Sequence, residues 1–171
     1  LQNLYEKKLC TYPRTDSRYL TSDMAEGLPV LVNLVANAMP FRKGIAISCD
    51  AAAVINDKKV TDHHAVIPTR NIREADLSAL PVGERAILEL VALRLLCAVA
   101  QPYTFAETAV VVECAGAEFT AKGRTVKNHG WRTLDAAYRA GLKNAEPETE
   151  DKALPELSEG QTLPLSGAAV K

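Results

Sequence analysis

Two side chains in the segment Cys10–Leu20 have the types and the spacing needed to form a covalent bond with a phosphodiester. Tyr12 supplies a phenol, and Arg14, two residues later, supplies a guanidinium. A phenolic oxygen can attack phosphorus, and because the pKa of a phenol is about 10 it leaves again more readily than an alkoxide. A phosphotyrosine bond therefore keeps enough free energy for a broken strand to be resealed without a nucleotide cofactor.

Pro13 lies between these residues and favours an extended backbone at Tyr12. Residues two apart in an extended segment face the same side, so Tyr12, Arg14 and Asp16 are predicted to point together. The guanidinium would stabilise charge on the nonbridging phosphate oxygens, and Asp16 could orient it. From spacing alone, a surface loop with one aromatic side chain tucked into the core is the alternative interpretation.

A pair of histidines, His63-His64, follows about fifty residues later. Neighbours on an extended chain point to opposite faces, so the two make a poor metal pair. His63 could donate a hydrogen bond to a phosphate or to Tyr12 through a relay, and two ordinary loop residues are the alternative. Hydroxyls and cations near Tyr12 would hold a nucleic-acid backbone. Besides Arg14, the candidates are Thr15, Ser17, Arg18, His64, Thr69 and Arg70, each with a solvated surface role as its alternative.

The segment around Tyr12 resembles the catalytic-tyrosine segment of type IA DNA topoisomerases, most closely that of the topoisomerase III branch. Its residues are Thr11-Tyr12-Pro13-Arg14-Thr15-Asp16-Ser17-Arg18-Tyr19-Leu20. Three further stretches resemble the segments that follow it in that family: Asp62–Thr69 (the histidine segment), Arg94–Thr108 (a helix leading into a β arm), and Phe119-x-x-x-Gly123 with Gly130-Trp131 (the next strands). The resemblance covers nearly the whole chain and thins within residues 40–55 and beyond about 140.

The resemblance implies a role for each matching residue. Tyr12 would be the nucleophile that links covalently to the 5′-phosphate of a cut single strand, Arg14 would contact the scissile phosphate, and His63 would support cleavage. Members of the family bind Mg²⁺ through acidic residues of a separate N-terminal toprim domain, and no such Asp-x-Asp cluster occurs in this sequence. We therefore expect the metal ligands to lie outside this chain, none within it, and the chain alone to be unable to relax DNA.

The fold class implied is α+β. By resemblance, residues 1–101 would form a mainly helical, winged-helix-like (CAP-like) domain that carries the tyrosine. Residues 102–171 would form part of a β-rich gate arm, with an acidic linker at about 145–160. Strand passage would require a hinge between the two parts, and Gln101-Pro102 is the expected place.

Local patterns predict individual elements. The expected helices are the end of one within Leu1–Leu9, one from about Pro29 to Met39 and one over Glu84–Gln101. Asp23 with Glu26 resembles a capping box at the start of a further helix, and Gly27 fits the C-terminal cap that would end it. The expected strands are Phe105–Cys114, Glu118–Lys122 after a turn at Gly116, a possible third over Val126–Leu134, and the start of another at Gln161–Leu165.

Composition restricts the class of protein without identifying it. The 171 residues include 20 Lys and Arg and 21 Asp and Glu, for a net charge of −1. Residues 145–160 carry six acids and one lysine, whereas residues 1–144 carry 18 basic and 15 acidic side chains. A mildly positive body permits binding of single-stranded DNA, the expected partner, to what we expect to be a monomer.

The sequence also indicates a cytoplasmic protein associated with the nucleoid. The four cysteines form no C-x-x-C pair, which favours free thiols over a disulfide framework or a zinc site. No apolar stretch is long enough to span a membrane, and no signal peptide is evident. The chain lacks an initiator methionine and opens like the interior of a helix, so we expect a piece of a longer protein.

Three other classes of protein use tyrosine or a similar fold. A tyrosine relaxase needs two histidines separated by one hydrophobic residue, and His63-His64 lacks that spacer. A tyrosine recombinase needs more Arg and His partners than three histidines easily supply. A non-catalytic winged-helix DNA-binding module, in which Tyr12 is only structural, is the main alternative to the topoisomerase interpretation.

Overall fold

A computed structural model describes residues 1–142, 151–164 and 167 of the chain. These residues fall into two compact units. The first consists of residues 1–104 together with 128–142, and the second of residues 105–127 together with 151–164. Mixed helix and sheet confirm the α+β class, whereas the winged-helix detail stays a prediction. Residues 145–150 of the expected acidic linker lie outside the described residues.

Four α-helices belong to the first unit: α1 (Gln2–Glu6), α2 (Leu28–Ala38), α3 (Val82–Ala98) and α4 (Arg132–Ala140). Short 3-10 turns account for much of the regular structure between α2 and α3, a stretch that otherwise runs irregularly. The helices predicted within Leu1–Leu9, over Pro29–Met39 and over Glu84–Gln101 are confirmed, with small shifts at their ends.

The core of this unit lies between α2 and α3. Side chains at helical spacing on α3 are fully or nearly fully buried, namely Leu88, Ala92, Leu95, Leu96 and, just past its end, Val99. Val32 and Val35 of α2 face the same core, which places one apolar stripe against another. Leu4 of α1 and Leu134 of α4 are buried in it as well.

The expected capping box at Asp23 and Glu26 is wrong. The structure has a 3-10 turn over Ser22–Met24 instead, and no side chain caps it. Gly27 is the N-cap of α2 rather than the end of an earlier helix, and Pro29 occupies its first turn, where a missing N–H does no harm. The early start of α2 leaves too few residues for a preceding helix.

The second unit contains an antiparallel hairpin of β1 (Thr104–Cys114) and β2 (Ala117–Asn128). Its two-residue turn places Ala115 at φ 49° and Gly116 at φ 79°, the left-handed pair that suits the twist of a tight hairpin. Beside β2 runs the segment 151–154, and the Lys152 carbonyl oxygen accepts a hydrogen bond of 2.9 Å from the N–H of Arg124. A Cβ at Gly123 would lie 2.6 Å from the Leu154 nitrogen, so only glycine fits there.

The possible third strand over Val126–Leu134 is also wrong. β2 ends at Asn128, the chain turns through Gly130 at φ 48°, and α4 begins at Arg132. The Asn128 side chain accepts a hydrogen bond from the Gly130 N–H, which stabilises the turn. Residues 161–164 lie in no strand either, and Leu165 lies outside the described residues.

Shortening Leu88 tests the importance of the α3 stripe. Leu88→Ala should lower the free energy of unfolding by about 3 kcal/mol, because it leaves a cavity around a side chain with no exposed surface. Leu90, which is 42% exposed on the same helix, is the matched control, and Leu90→Ala should cost less than about 1 kcal/mol. Urea unfolding measures both. Equal losses would show that the two positions share one environment.

Candidate active site

The segment that contains Tyr12 is held at both ends by a second, later segment of the chain. Cys10 forms an antiparallel bridge with Pro68, and Leu20 forms a parallel bridge with Ile55. Near the first bridge, the Thr11 N–H donates to the Ile67 carbonyl oxygen at 2.9 Å. Near the second bridge, the Leu20 N–H donates to the Val54 carbonyl oxygen at 2.8 Å. Residues 10–20 therefore lie along residues 54–69, the stretch that contains His63 and His64.

Hydroxyl side chains complete this pairing between the two ends. Thr11 Oγ1 accepts from the Ile67 N–H at 3.0 Å. Thr15 Oγ1 donates to the His63 carbonyl oxygen at 2.7 Å and accepts from the Ser17 N–H. Ser17 Oγ donates to the Lys59 carbonyl oxygen at 2.8 Å. Each hydroxyl thus replaces a backbone partner that a regular ladder would supply.

Exposure alternates along the tyrosine segment as an extended backbone requires. Arg14, Asp16 and Arg18 are exposed, whereas Thr15 and the other odd-numbered neighbours are half-buried. The exposure of both Arg14 and Asp16 agrees with the prediction that they share one side, whereas Tyr12, which was predicted to point the same way, is half-buried. Within the described ranges, no hydrogen bond or ion pair joins them, so the guanidinium of Arg14 faces solvent without the expected orienting contact.

Tyr12 lies between two other rings. The His63 ring centroid is 4.5 Å from that of Tyr12, with the planes tilted by 49°. The Tyr5 ring is 5.3 Å away on an edge-to-face contact, with the planes at 78°. Tyr12 is half-buried, and among the described residues its hydroxyl has no hydrogen-bond partner. Two ring contacts therefore orient the phenol, and its oxygen stays available to a ligand.

Tyr5 reaches this position because α1 is fixed on α3. Leu4 is fully buried, and two side chains of this region bind the same carboxylate of α3. Asn3 Nδ2 donates to Glu84 Oε1 at 3.0 Å, and Lys7 Nζ donates to Glu84 Oε2 at 2.5 Å. The Lys7 ammonium, followed by the Asn3 amide, holds the pKa of Glu84 below its ordinary value.

The chain then turns back at Lys8, which has a φ of 58°. Left-handed backbone is costly for lysine and needs support from its surroundings. The Lys8 carbonyl oxygen accepts from the Thr69 hydroxyl and, at 3.2 Å, from Asn71 Nδ2. This turn brings Tyr5 and Tyr12, seven residues apart, into contact.

The other predicted contacts of DNA are spread around this cluster. His64 Nδ1 donates to the Ala65 carbonyl oxygen at 2.8 Å. The hydroxyl of Thr69 is bound to Lys8, and the guanidinium of Arg70 lies against Gly27, where a Cβ would meet Nη2 at 2.9 Å. Arg18 is exposed. Their contacts with DNA, like those of Thr15 and Ser17, stay predictions.

Burial keeps the nearest thiol neutral. Cys10 is 1% exposed, and desolvation raises its pKa to about 11. An ordinary thiol is already protonated at neutral pH, and burial extends the protonated, uncharged form of Cys10 to higher pH. A metal ion has no evident site: within the part of the chain that the structure describes, no three metal-ligating side chains come together.

Sequence reasoning missed Tyr5 and the tie between Tyr19 and Lys59. Lys59 Nζ donates to the Tyr19 hydroxyl at 3.1 Å and lies 4.5 Å from its ring centroid. The sequence does show an aromatic residue near the end of the predicted first helix, which could have marked Tyr5 as a neighbour of the tyrosine segment. Its contact with Tyr12 depends on the left-handed turn at Lys8, and no residue near Lys8 is of a type that favours a left-handed backbone.

Comparison with known proteins defines the class. A family model described as DNA topoisomerase matches residues 1–171, so the chain belongs to the DNA topoisomerase family. It is similar to the DNA topoisomerase 3 of Bacillus licheniformis, with 39% identity over a match that takes in 95% of this chain and 22% of the relative.

The chain is similar to two other DNA topoisomerase 3 proteins over nearly the same share of its length. The DNA topoisomerase 3 of Bacillus subtilis is 40% identical, over 95% of this chain and 23% of its own length. That of Shouchella clausii is 36% identical, over 94% and 22% respectively. The chain therefore spans less than a quarter of the length of the curated relatives it matches.

Replacing Thr15 tests the tie between the tyrosine segment and His63. Thr15→Val keeps the side-chain volume but removes the hydroxyl, and should lower the free energy of unfolding by about 1 kcal/mol. It should also shift the NMR resonances of the His63 ring, because the ring loses its fixed place over Tyr12. Thr15→Ser retains the hydroxyl and should leave those resonances in place. Unchanged resonances in Thr15→Val would show that other contacts position His63.

The ion pair at α1 predicts a pH dependence. Because the pKa of Glu84 is lowered on folding, its contribution to stability is complete above the ordinary value of 4.5 and is lost as the pH falls through the folded-state pKa. Glu84→Gln should therefore flatten the fall in melting temperature below that pH. Glu89→Gln, on the same helix, should not. Parallel curves for all three proteins would contradict a role for Glu84.

Proposed function

We propose that this chain is the tyrosine-bearing part of a type IA DNA topoisomerase, which cleaves and rejoins one DNA strand through a 5′-phosphotyrosine intermediate and so allows strand passage for relaxation or decatenation. The observation that carries the proposal is the placement of Tyr12: its ring contacts His63, and its hydroxyl is unbonded among the described residues. Membership of the DNA topoisomerase family supports it.

In the proposed cleavage step the Tyr12 oxygen forms a bond to phosphorus and the phenol proton leaves. The bond between phosphorus and the 3′ oxygen breaks, and that oxygen takes up a proton. The 5′-phosphate is then an ester of Tyr12. Resealing reverses each change: the 3′ hydroxyl attacks phosphorus, and the phenol is released. No nucleotide is needed because one ester replaces another.

Arg14 and His63 would assist this exchange in different ways. The guanidinium of Arg14 is exposed, two residues from Tyr12 and free of Asp16, so it can bind two nonbridging oxygens of the phosphate at once. The His63 ring lies beside the phenol and would donate a hydrogen bond to the phosphate or support the proton transfer. The proposed contacts along the DNA backbone are Thr15, Ser17, Arg18, His64, Thr69 and Arg70.

The activity of the whole protein is proposed for a longer chain than this one. The matched relatives are more than four times as long as the aligned part. Mg²⁺ would be held by acidic residues outside this sequence, as the resemblance to the family implies, and it would supply charge stabilisation at the phosphate. We further propose a single-stranded DNA substrate, a monomeric enzyme and a cytoplasmic, nucleoid-associated location.

The domain division is likewise a proposal. Residues 1–101 would form the winged-helix-like tyrosine domain, residues 102–171 part of the gate arm, and Gln101-Pro102 the hinge between them. Among the described residues, no helix is both long enough and apolar enough to cross a membrane.

The nucleophile is tested in the longer protein that contains this chain. With Mg²⁺ and a labelled single-stranded oligonucleotide, quenching in denaturant should trap an adduct on Tyr12 that carries the 5′-phosphate, identified by mass spectrometry of the peptide. Tyr12→Phe should abolish the adduct, because the attacking oxygen is gone. Tyr19→Phe, which removes a hydroxyl from the same segment, should leave adduct formation within about twofold of the unsubstituted protein.

Three results would overturn the proposal. An adduct that persists in Tyr12→Phe would assign another nucleophile. No adduct in the unsubstituted protein, with the oligonucleotide still bound in an anisotropy assay, would favour the non-catalytic DNA-binding module, in which Tyr12 is structural. An adduct on the 3′-phosphate side would point to a different class of tyrosine enzyme.

A further inference from the structure

We infer that Tyr5 is a positioning residue for the Tyr12 nucleophile; this rests on the proposed function and adds a residue to it. Tyr5 lies on α1, outside the tyrosine segment and outside the residues assigned to the phosphate. Its ring makes an edge contact with that of Tyr12 at a centroid distance of 5.3 Å and an interplanar angle of 78°. That geometry is the one aromatic pairs prefer, with the positive edge of one ring on the negative face of the other.

Tyr12 needs such a contact because little else fixes its orientation. Its hydroxyl has no hydrogen-bond partner among the described residues, and the only rings beside it within those residues are His63 and Tyr5. The phenolic oxygen lies on the axis of the Cβ–Cγ bond and far from the backbone, so a small rotation about the Cα–Cβ bond swings it away from its place. Misplacement of about 1 Å can slow a reaction by about a hundredfold.

Tyr5 is itself well fixed, which a positioning role requires. Its neighbour Leu4 is fully buried, and the Asn3 and Lys7 side chains both bind Glu84 of α3. On the other side, the turn at Lys8 is held by Thr69 and Asn71. The ring of Tyr5 nevertheless keeps 39% of its residue surface exposed, far more than a core aromatic would. Its place is better explained by the contact with Tyr12 than by packing in the core.

The test measures single-turnover cleavage by the longer protein that contains this chain. The rate constant for adduct formation at saturating oligonucleotide, and the oligonucleotide concentration at half-saturation, are determined separately. Tyr5→Ala should lower the saturating rate constant about tenfold, since the His63 contact remains, and should leave the half-saturating concentration within about twofold. Tyr5→Phe keeps the ring and should restore the rate to within about twofold.

Tyr138→Ala is the matched control. Tyr138 makes an edge contact with Phe41 at 5.4 Å and 86°, which is nearly the same pair geometry away from the tyrosine segment. Its loss should leave the saturating rate constant unchanged. If Tyr5→Ala does not fold, as judged by its melting curve, Tyr5→Leu keeps the apolar volume without the aromatic edge and should show the same tenfold fall.

Three results would overturn the inference. An unchanged saturating rate constant in Tyr5→Ala and Tyr5→Leu would show that Tyr12 needs no such support. A raised half-saturating concentration with the rate retained would make Tyr5 a contact of the DNA bases instead. An equal fall in Tyr5→Phe would assign the effect to the Tyr5 hydroxyl. The loss of the adduct in Tyr12→Phe is scored separately, so the proposed function can stand when this inference fails.

Discussion

The pairing of residues 10–20 with residues 54–69 is the constraint on which the candidate site depends. Backbone bridges close its two ends at Cys10 and Leu20, and the hydroxyls of Thr11, Thr15 and Ser17 hold the middle. An extended segment with few backbone partners would otherwise move freely, because ordering each residue costs about 1–2 kcal/mol of conformational free energy. The pairing offsets that cost and places the two segments with catalytic residue types side by side, although about fifty residues of chain separate them. The proposed nucleophile Tyr12 and the imidazole of His63 thus come from one locally paired structure rather than from separate layers of the fold.

Much of the site could be predicted because the controlling rules are local. Pro13 makes the tyrosine segment extended, and the alternation of exposure at Arg14, Asp16 and Arg18 follows directly from that. The apolar residues at helical spacing on α3 can likewise be recognised in the sequence. The failures share a different cause. Gly27 fits the end of one helix or the beginning of another, and only the tertiary packing of α2 decides between them. The segment after β2 has strand-like residues, yet the left-handed turn at Gly130 and the burial of Leu134 give a helix.

The hydroxyl side chains show why site residues are harder to predict than elements. Near a catalytic tyrosine, Thr15, Ser17 and Thr69 have the chemistry of phosphate contacts, and composition cannot exclude it. In the structure each of them binds a backbone carbonyl of a neighbouring segment. A hydroxyl that donates internally can still accept from a ligand donor, but a phosphate oxygen offers only acceptors. Among the proposed DNA contacts, these three could donate to a phosphate only by giving up a bond that holds the site together, whereas Arg14 and Arg18 would break no bond of the tyrosine segment.

The electrostatics of the site favour an anion without neutralising its cations in advance. The Arg14 guanidinium has no carboxylate partner within the described residues, although Asp16 lies on the same side. A guanidinium held in an ion pair would have to break that pair before binding a phosphate, and the lost contact would reduce the affinity. Cys10, two residues before Tyr12, is uncharged at neutral pH like any thiol, and its burial keeps it uncharged at higher pH as well. The acidic side chain most firmly bound near α1, Glu84, is engaged by Lys7 and Asn3. A phosphate that approaches Tyr12 would therefore meet the exposed guanidinium of Arg14, which no carboxylate of the described residues already binds.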